Sequence, residues 1–80
     1  LYIERTLPAT MLVSDFNAQF QSNLKHEEGD TLNDLLLRAL EHSPAKGETV
    51  RIHDFLFTVV EITLRGIKTV KVHTSKTQQE

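Results

Sequence analysis

The chain has no cysteine and no tryptophan. Without thiols there is no disulfide framework, no thiolate metal site and no cysteine nucleophile. A small secreted domain normally relies on disulfide staples, so their absence favours a reducing compartment. Glycine and proline are scarce, at three and two residues, and the glycines are far apart, so no phosphate-cradling glycine loop can be built. Charge of one sign is not in excess: the formal net charge is -2, and no long basic run offers a stripe for nucleic-acid phosphates. Nor does any apolar run approach the roughly 20 residues that cross a bilayer as a helix. No signal peptide is visible. The first residue is Leu1, not methionine, and the chain reads as an excerpt from a longer protein.

What is present suits one small soluble domain. Eighty residues suffice for a single core, and 39% of them are apolar, gathered into a few dense segments. Residues 1 to 13 are β-compatible, with Tyr2, Ile3, Thr6, Thr10 and Val13. Pro8 lacks an N–H, so a strand here belongs at a sheet edge or breaks at that residue. Ser14 is the expected N-cap of a short helix that ends near Ser22 and places Phe16 and Phe20 on one face.

Residues 25 to 29 form a polar loop. Thr31-Leu32-Asn33-Asp34 then has the form of a capping box. Leu32, Leu35, Leu36, Ala39 and Leu40 fall at i, i+3, i+4, i+7 and i+8, a single apolar helical stripe. Ser43-Pro44 disfavours continuing that helix. Beyond Gly47 the period changes to two. Val50 and Ile52 alternate with Arg51 and His53, His53-Asp54 makes a turn, and Phe55 to Ile62 is a β-prone run. Leu64-Arg65-Gly66 is a second turn. Ile67 and Val70 are three apart, which breaks alternation and predicts a bulge or a late strand start. The predicted class is α+β: two helices on one face of a small, mostly antiparallel sheet, in the order β-α-α-β-β-β. The domain should span 1–73, with 74–80 a disordered polar tail.

The run from Asp30 through Leu37, then Pro44-Ala45-Lys46-Gly47-Glu48 to Val50, resembles the CorC/HlyC transporter-associated domain. Its capped leucine helix and Pro-x-x-Gly-acid turn come first, and Phe57-Thr58-Val59 and the closing strand Ile67 to Val72 follow in the same order. Upstream, Asp15-Phe16-Asn17 matches that family's first helix. Two turn positions depart from the pattern: Asp54 replaces a glycine, and Gly66 replaces a basic residue. The resemblance implies a cytoplasmic accessory domain at the inner face of a bacterial inner membrane, within a larger integral membrane protein. Magnesium and cobalt efflux proteins and haemolysin-like proteins are the parents it implies. Neighbouring CBS-like domains of the same chain, or a second copy, are the partners it implies. The fold is also similar to part of flavin-binding oxidase domains, which extends the expectation to FAD or an adenine nucleotide.

Four candidate constellations follow. His26, Glu27, Glu28 and Asp30 are the densest group of potential ligands for a hard or borderline divalent cation. An acidic, solvated loop before a helix is the commoner explanation, because the helix dipole favours negative charge there. Ser14, His53 and Asp54 supply the residue types of a hydrolytic triad but no nucleophile turn or oxyanion hole, so no enzyme is expected. Gly29, Gly47 and Gly66 are turn punctuation. Along the strand from Phe55, the side chains of Phe55, Phe57 and Val59 point one way, and those of Leu56, Val60 and Ile62 the other. Residues 1 to 13 or a partner must cover the second set, which makes Phe55, Leu56 and Val60 candidate interface residues.

Overall fold

The computed structural model describes residues 4–74. In order, the elements are β1 (Glu4–Pro8), α1 (Val13–Phe20), α2 (Leu32–Leu40), β2 (Thr49–Ile52), β3 (Phe55–Thr63) and β4 (Gly66–Thr74). Every strand pairing is antiparallel, and the sheet order is β1-β4-β3-β2. The α+β arrangement and element order are those read from the sequence. Tyr2 and Ile3 lie outside the described residues, as does the tail beyond Thr74; Thr74 itself is the last residue of β4, not part of a tail.

β1 is an edge strand that ends at Pro8, where the missing N–H does no harm. The chain then turns down to the helical layer. Val13 N–H donates to Asp30 O and Leu32 N–H to Met11 O, at 2.9 Å each, and Leu12 bridges Thr31. This cross-tie starts α1 earlier than expected: the N-cap is Leu12, with no side-chain cap, and Ser14 sits exposed inside the first turn. A tertiary restraint has replaced the local one. The helix also stops at Phe20, not Ser22, because Gln21 adopts a left-handed conformation (φ 52°) and closes the last turn onto Asn17 O.

α2 begins as the sequence dictates. Thr31 accepts from Asp34 N–H, and the Asp34 carboxylate accepts from Thr31 N–H, a complete capping box. Leu32, Leu35 and Leu36 are buried, and Leu37 and Leu40 are half-buried. Ala39, placed on the buried stripe from its spacing, is exposed. It lies over a shallow hollow towards Ile52 of the short strand β2, too far out for a methyl group to reach the core.

The expected bulge is there, and it is double. Pairing runs Val59↔Val70, then Glu61↔Thr69, then Ile62↔Ile67. Val60 is therefore the extra residue on β3 and Lys68 the extra residue on β4. On the other side of β4, the Lys68 carbonyl accepts Ala9 N–H at 2.8 Å, one step beyond Pro8↔Thr69 in the β1 register. Phe16, Phe57, Leu32, Leu36, Val13, Val59, Val70 and Val72 are the largest fully buried side chains, all between the helices and one sheet face. The four phenylalanines form one cluster, with Phe16 stacked on Phe20 at 4.4 Å and edge-on to Phe55 at 5.2 Å.

Candidate docking surface

Among the described residues no polar or charged side chain is buried. Desolvation opposes ionisation at Asp30 and Glu48, but hydrogen bonds outweigh it at both and lower their pKa values. Ser14 is on the surface of α1, while His53 and Asp54 make the β2–β3 turn, with His53 at φ 56°.

The His26–Asp30 loop is organised by its own hydrogen bonds. His26 Nδ1 lies 3.0 Å from the Glu27 carbonyl, Glu27 N–H donates to Asp30 Oδ2 at 2.9 Å, and Arg38 donates to the same oxygen at 3.2 Å. The Glu27 N–H is the main influence holding the Asp30 carboxyl below its ordinary pKa; desolvation opposes it, and the Arg38 hydrogen bond adds a smaller lowering effect. One Asp30 oxygen thus already serves a backbone donor and a guanidinium. Among the described residues, no three His, Asp or Glu side chains come together as a group able to hold a metal ion.

Phe55, Leu56 and Val60 do not share a surface. Phe55 is on the core side, edge-on to Phe20 at 5.9 Å. Its half-exposed edge faces a groove of about 460 Å³ between the end of α1 and the β2–β3 turn. Phe20, Leu24 and Thr74 line the same groove, with Asp54 at its side. Asn17 fixes the groove's loop wall. Its Oδ1 accepts from Ser22 Oγ at 2.7 Å and Leu24 N–H at 3.0 Å, and its Nδ2 donates to the Leu24 carbonyl at 3.1 Å.

Leu56 and Val60 belong to the opposite face. There the register sets Glu4, His73, Leu56 and Arg51 across one row of the sheet, and Thr6, Lys71, Thr58 and Thr49 across the next. Residues 4–13 do not cover this face: residues 4–8 extend the sheet sideways, and Ala9 and Val13 are buried in the core. The face is mostly threonine and charge, including a Lys71–Glu4 ion pair at 3.7 Å, with Leu56 and Val60 half-buried between their neighbours. Sequence reading placed the β3–β4 turn at Leu64-Arg65-Gly66 but did not single it out as a surface, although it carries Leu64, the most exposed large apolar residue described. The only sequence signal was an unbalanced leucine beside a turn glycine.

The comparisons with known proteins agree with this architecture. A magnesium and cobalt efflux protein CorC of Salmonella typhimurium is 37% identical over 68 residues, which are 85% of this chain and 23% of that protein. The corresponding protein of Vibrio cholerae is 33% identical over 67 residues. The chain thus spans about a quarter of the length of these relatives. Among solved structures, a putative Mg2+ and Co2+ transporter (CorC) associated region from Neisseria meningitidis is 30% identical, with a TM-score of 0.82 over 89% of this chain and 88% of that one. A transporter associated domain CorC_HlyC from Nitrosomonas europaea superposes with a TM-score of 0.84 at 22% identity, over 89% of this chain and 86% of that one. The CorC_HlyC transporter associated domain matches residues 4–76, nearly the whole sequence, and the chain belongs to that family.

Proposed function

We propose that this domain is a non-catalytic docking and regulatory module on the cytoplasmic side of a bacterial membrane transporter, of the magnesium and cobalt efflux or haemolysin-like kind. The observation that carries this reading is the 37% identity to an efflux protein of which the matched segment is less than a quarter. The domain's own features support it. The sheet keeps two free edges, β1 and β2, and leaves Leu56 and Val60 on a face that neither helix covers. Such edges and faces suit contact with a neighbouring CBS-like domain of the same chain or with a second copy. The test is site-specific photocrosslinking in the full-length parent in membranes. A crosslinker at Leu56 or Val60 should capture a second cytoplasmic domain or a second protomer, and one at Ala18 on α1 should capture neither. Absence of any adduct from the sheet face and both edges would refute docking.

A second reading, a small-ligand sensor, draws on the phenylalanine-edged groove beside Phe55 and on the His26–Asp30 loop. The groove has the aromatic wall and polar rim that suit an adenine nucleotide or FAD; the loop has the donor types for a divalent cation. Amide NMR titration with ATP, FAD, magnesium and cobalt separates the two. Shifts confined to residues 20–24 and 53–55 mark the groove, and shifts at 26–30 mark the loop. Unmoved spectra at millimolar ligand would dispose of this reading.

A further inference from the structure

We infer that the β3–β4 hairpin tip is a membrane-contacting point that seats Leu64 and Ile62 among anionic headgroups. The inference rests on the proposed function only for placing a bilayer within reach.

The tip is a rigid projection. β2 pairs with β3 only as far as Thr58, and β1 pairs with β4 only as far as Thr69, so no strand flanks the hairpin beyond the double bulge. Its base is pinned, because Ile67 N–H donates to Asn33 Oδ1 at 2.8 Å. The turn is braced as well: Arg65 N–H donates to Thr63 Oγ1 at 3.1 Å. At the summit Leu64 is fully exposed (107%), and Ile62 is 43% exposed. Only Leu12 joins them as an exposed large apolar side chain among the described residues. One exposed leucine would need no explanation. Here Leu64 and Ile62 share the lining of a hollow of about 510 Å³ with Leu37 and Pro44, among the polar side chains of His42, Ser43 and Thr63, so the leucine is not an isolated apolar residue.

Charge decides the kind of partner. Arg65 stands between this hollow and a second one on the other flank, which also holds Lys68. No carboxylate lines either hollow, although the chain has 11 acidic residues against 9 basic. The nearest strand acid, Glu61, accepts from the Thr69 hydroxyl at 2.8 Å, and Glu48 is occupied by His42 and by Ala45 N–H. An apolar point beside cations that have no counter-ion among the described residues, on a protein of net negative charge, is the composition that settles at an anionic interface.

Because the chain has no tryptophan, Leu64→Trp is a single-site reporter. It is titrated with phosphatidylcholine vesicles, with and without phosphatidylglycerol. The expected result is a blue shift on the anionic vesicles that fades with salt. Partitioning should fall about fivefold for Arg65→Gln and again for Lys68→Gln. Leu64→Asp in the otherwise native chain should abolish vesicle co-sedimentation while leaving the circular dichroism spectrum unchanged. Three outcomes overturn the inference: emission unmoved by millimolar anionic lipid, an equal shift on neutral vesicles, or a lipid-independent shift with a doubled sedimenting mass. The last would make the tip a self-association site. None depends on the sheet-face crosslinks, so the two readings fail separately.

Discussion

Asn33 and Gly66 compete for the same space. Gly66 is at φ +134°, and a Cβ built there would lie 2.8 Å from Asn33 Oδ1, the atom that accepts Ile67 N–H. Gly66→Ala therefore meets both backbone strain and a clash, and should destabilise by more than about 1 kcal/mol in urea denaturation. Asn33→Ala leaves the Ile67 N–H without its partner, at a cost of about 1–3 kcal/mol. The double variant should cost less than the sum, since removing the Asn33 side chain makes room for the new methyl. Two partly buried carboxylates shape the acid limb. Hydrogen bonds chiefly from Glu27 N–H lower the Asp30 pKa, and one chiefly from His42 lowers that of Glu48. A carboxyl whose folded pKa is depressed stabilises the fold above its unfolded value and loses that contribution as the pH drops through the folded one. Stability should thus decline on acidification from the ordinary carboxylate range downward, and Asp30→Asn with Glu48→Gln should flatten that decline in thermal melts. Both side chains are partly buried but keep contact with water at the surface, so the effect is small and screened by salt.

For the elements, α2 provides the sharpest contrast. Leu36 is fully buried, and Leu36→Ala should cost about 2–5 kcal/mol. Ala39→Glu, three residues on, should change stability by less than about 0.5 kcal/mol, because that position faces water. Equal effects at the two sites would mean that the helix packs with a different face. The start and stripe of α2 were legible because both are local: a Thr–Asp box and leucines one turn apart need nothing from elsewhere in the chain. The start of α1 was not, since it is fixed by hydrogen bonds to residues 30–32, and Ser14 offered a decoy cap. The bulge left its mark as a broken alternation at Ile67. Its second half, at Val60, sits inside a run of β-branched residues and left none. The end groove and the hairpin hollows join residues far apart in sequence, so no window of the sequence could reveal them. Separating Phe55 from Leu56 and Val60 needed only the two-residue period of a strand; that Phe55 would end in an aromatic cluster depended on α1.

At the level of the whole molecule, twelve buried apolar residues form a single cluster among the described residues, and no disulfide or buried ion pair among them adds to it. A domain this size holds about 4–12 kcal/mol of net stability. Phe16 touches three other rings of the cluster, so Phe16→Ala, at about 3–5 kcal/mol, should remove a quarter of it or more and leave a chain that melts far lower or not cooperatively. The unsubstituted chain should unfold in one step, with coincident circular dichroism and phenylalanine-amide NMR transitions.

The register Glu4↔His73 brings the two ends of the described chain side by side at one end of the sheet. A tether drawn taut at both ends would load β1 and β4 as a zipper, opening one rung at a time, rather than in shear across all rungs at once. Such an arrangement yields at low force. A pendant unit hung this way can part its outermost strand under tension while the phenylalanine cluster, held between α1 and β3, stays closed.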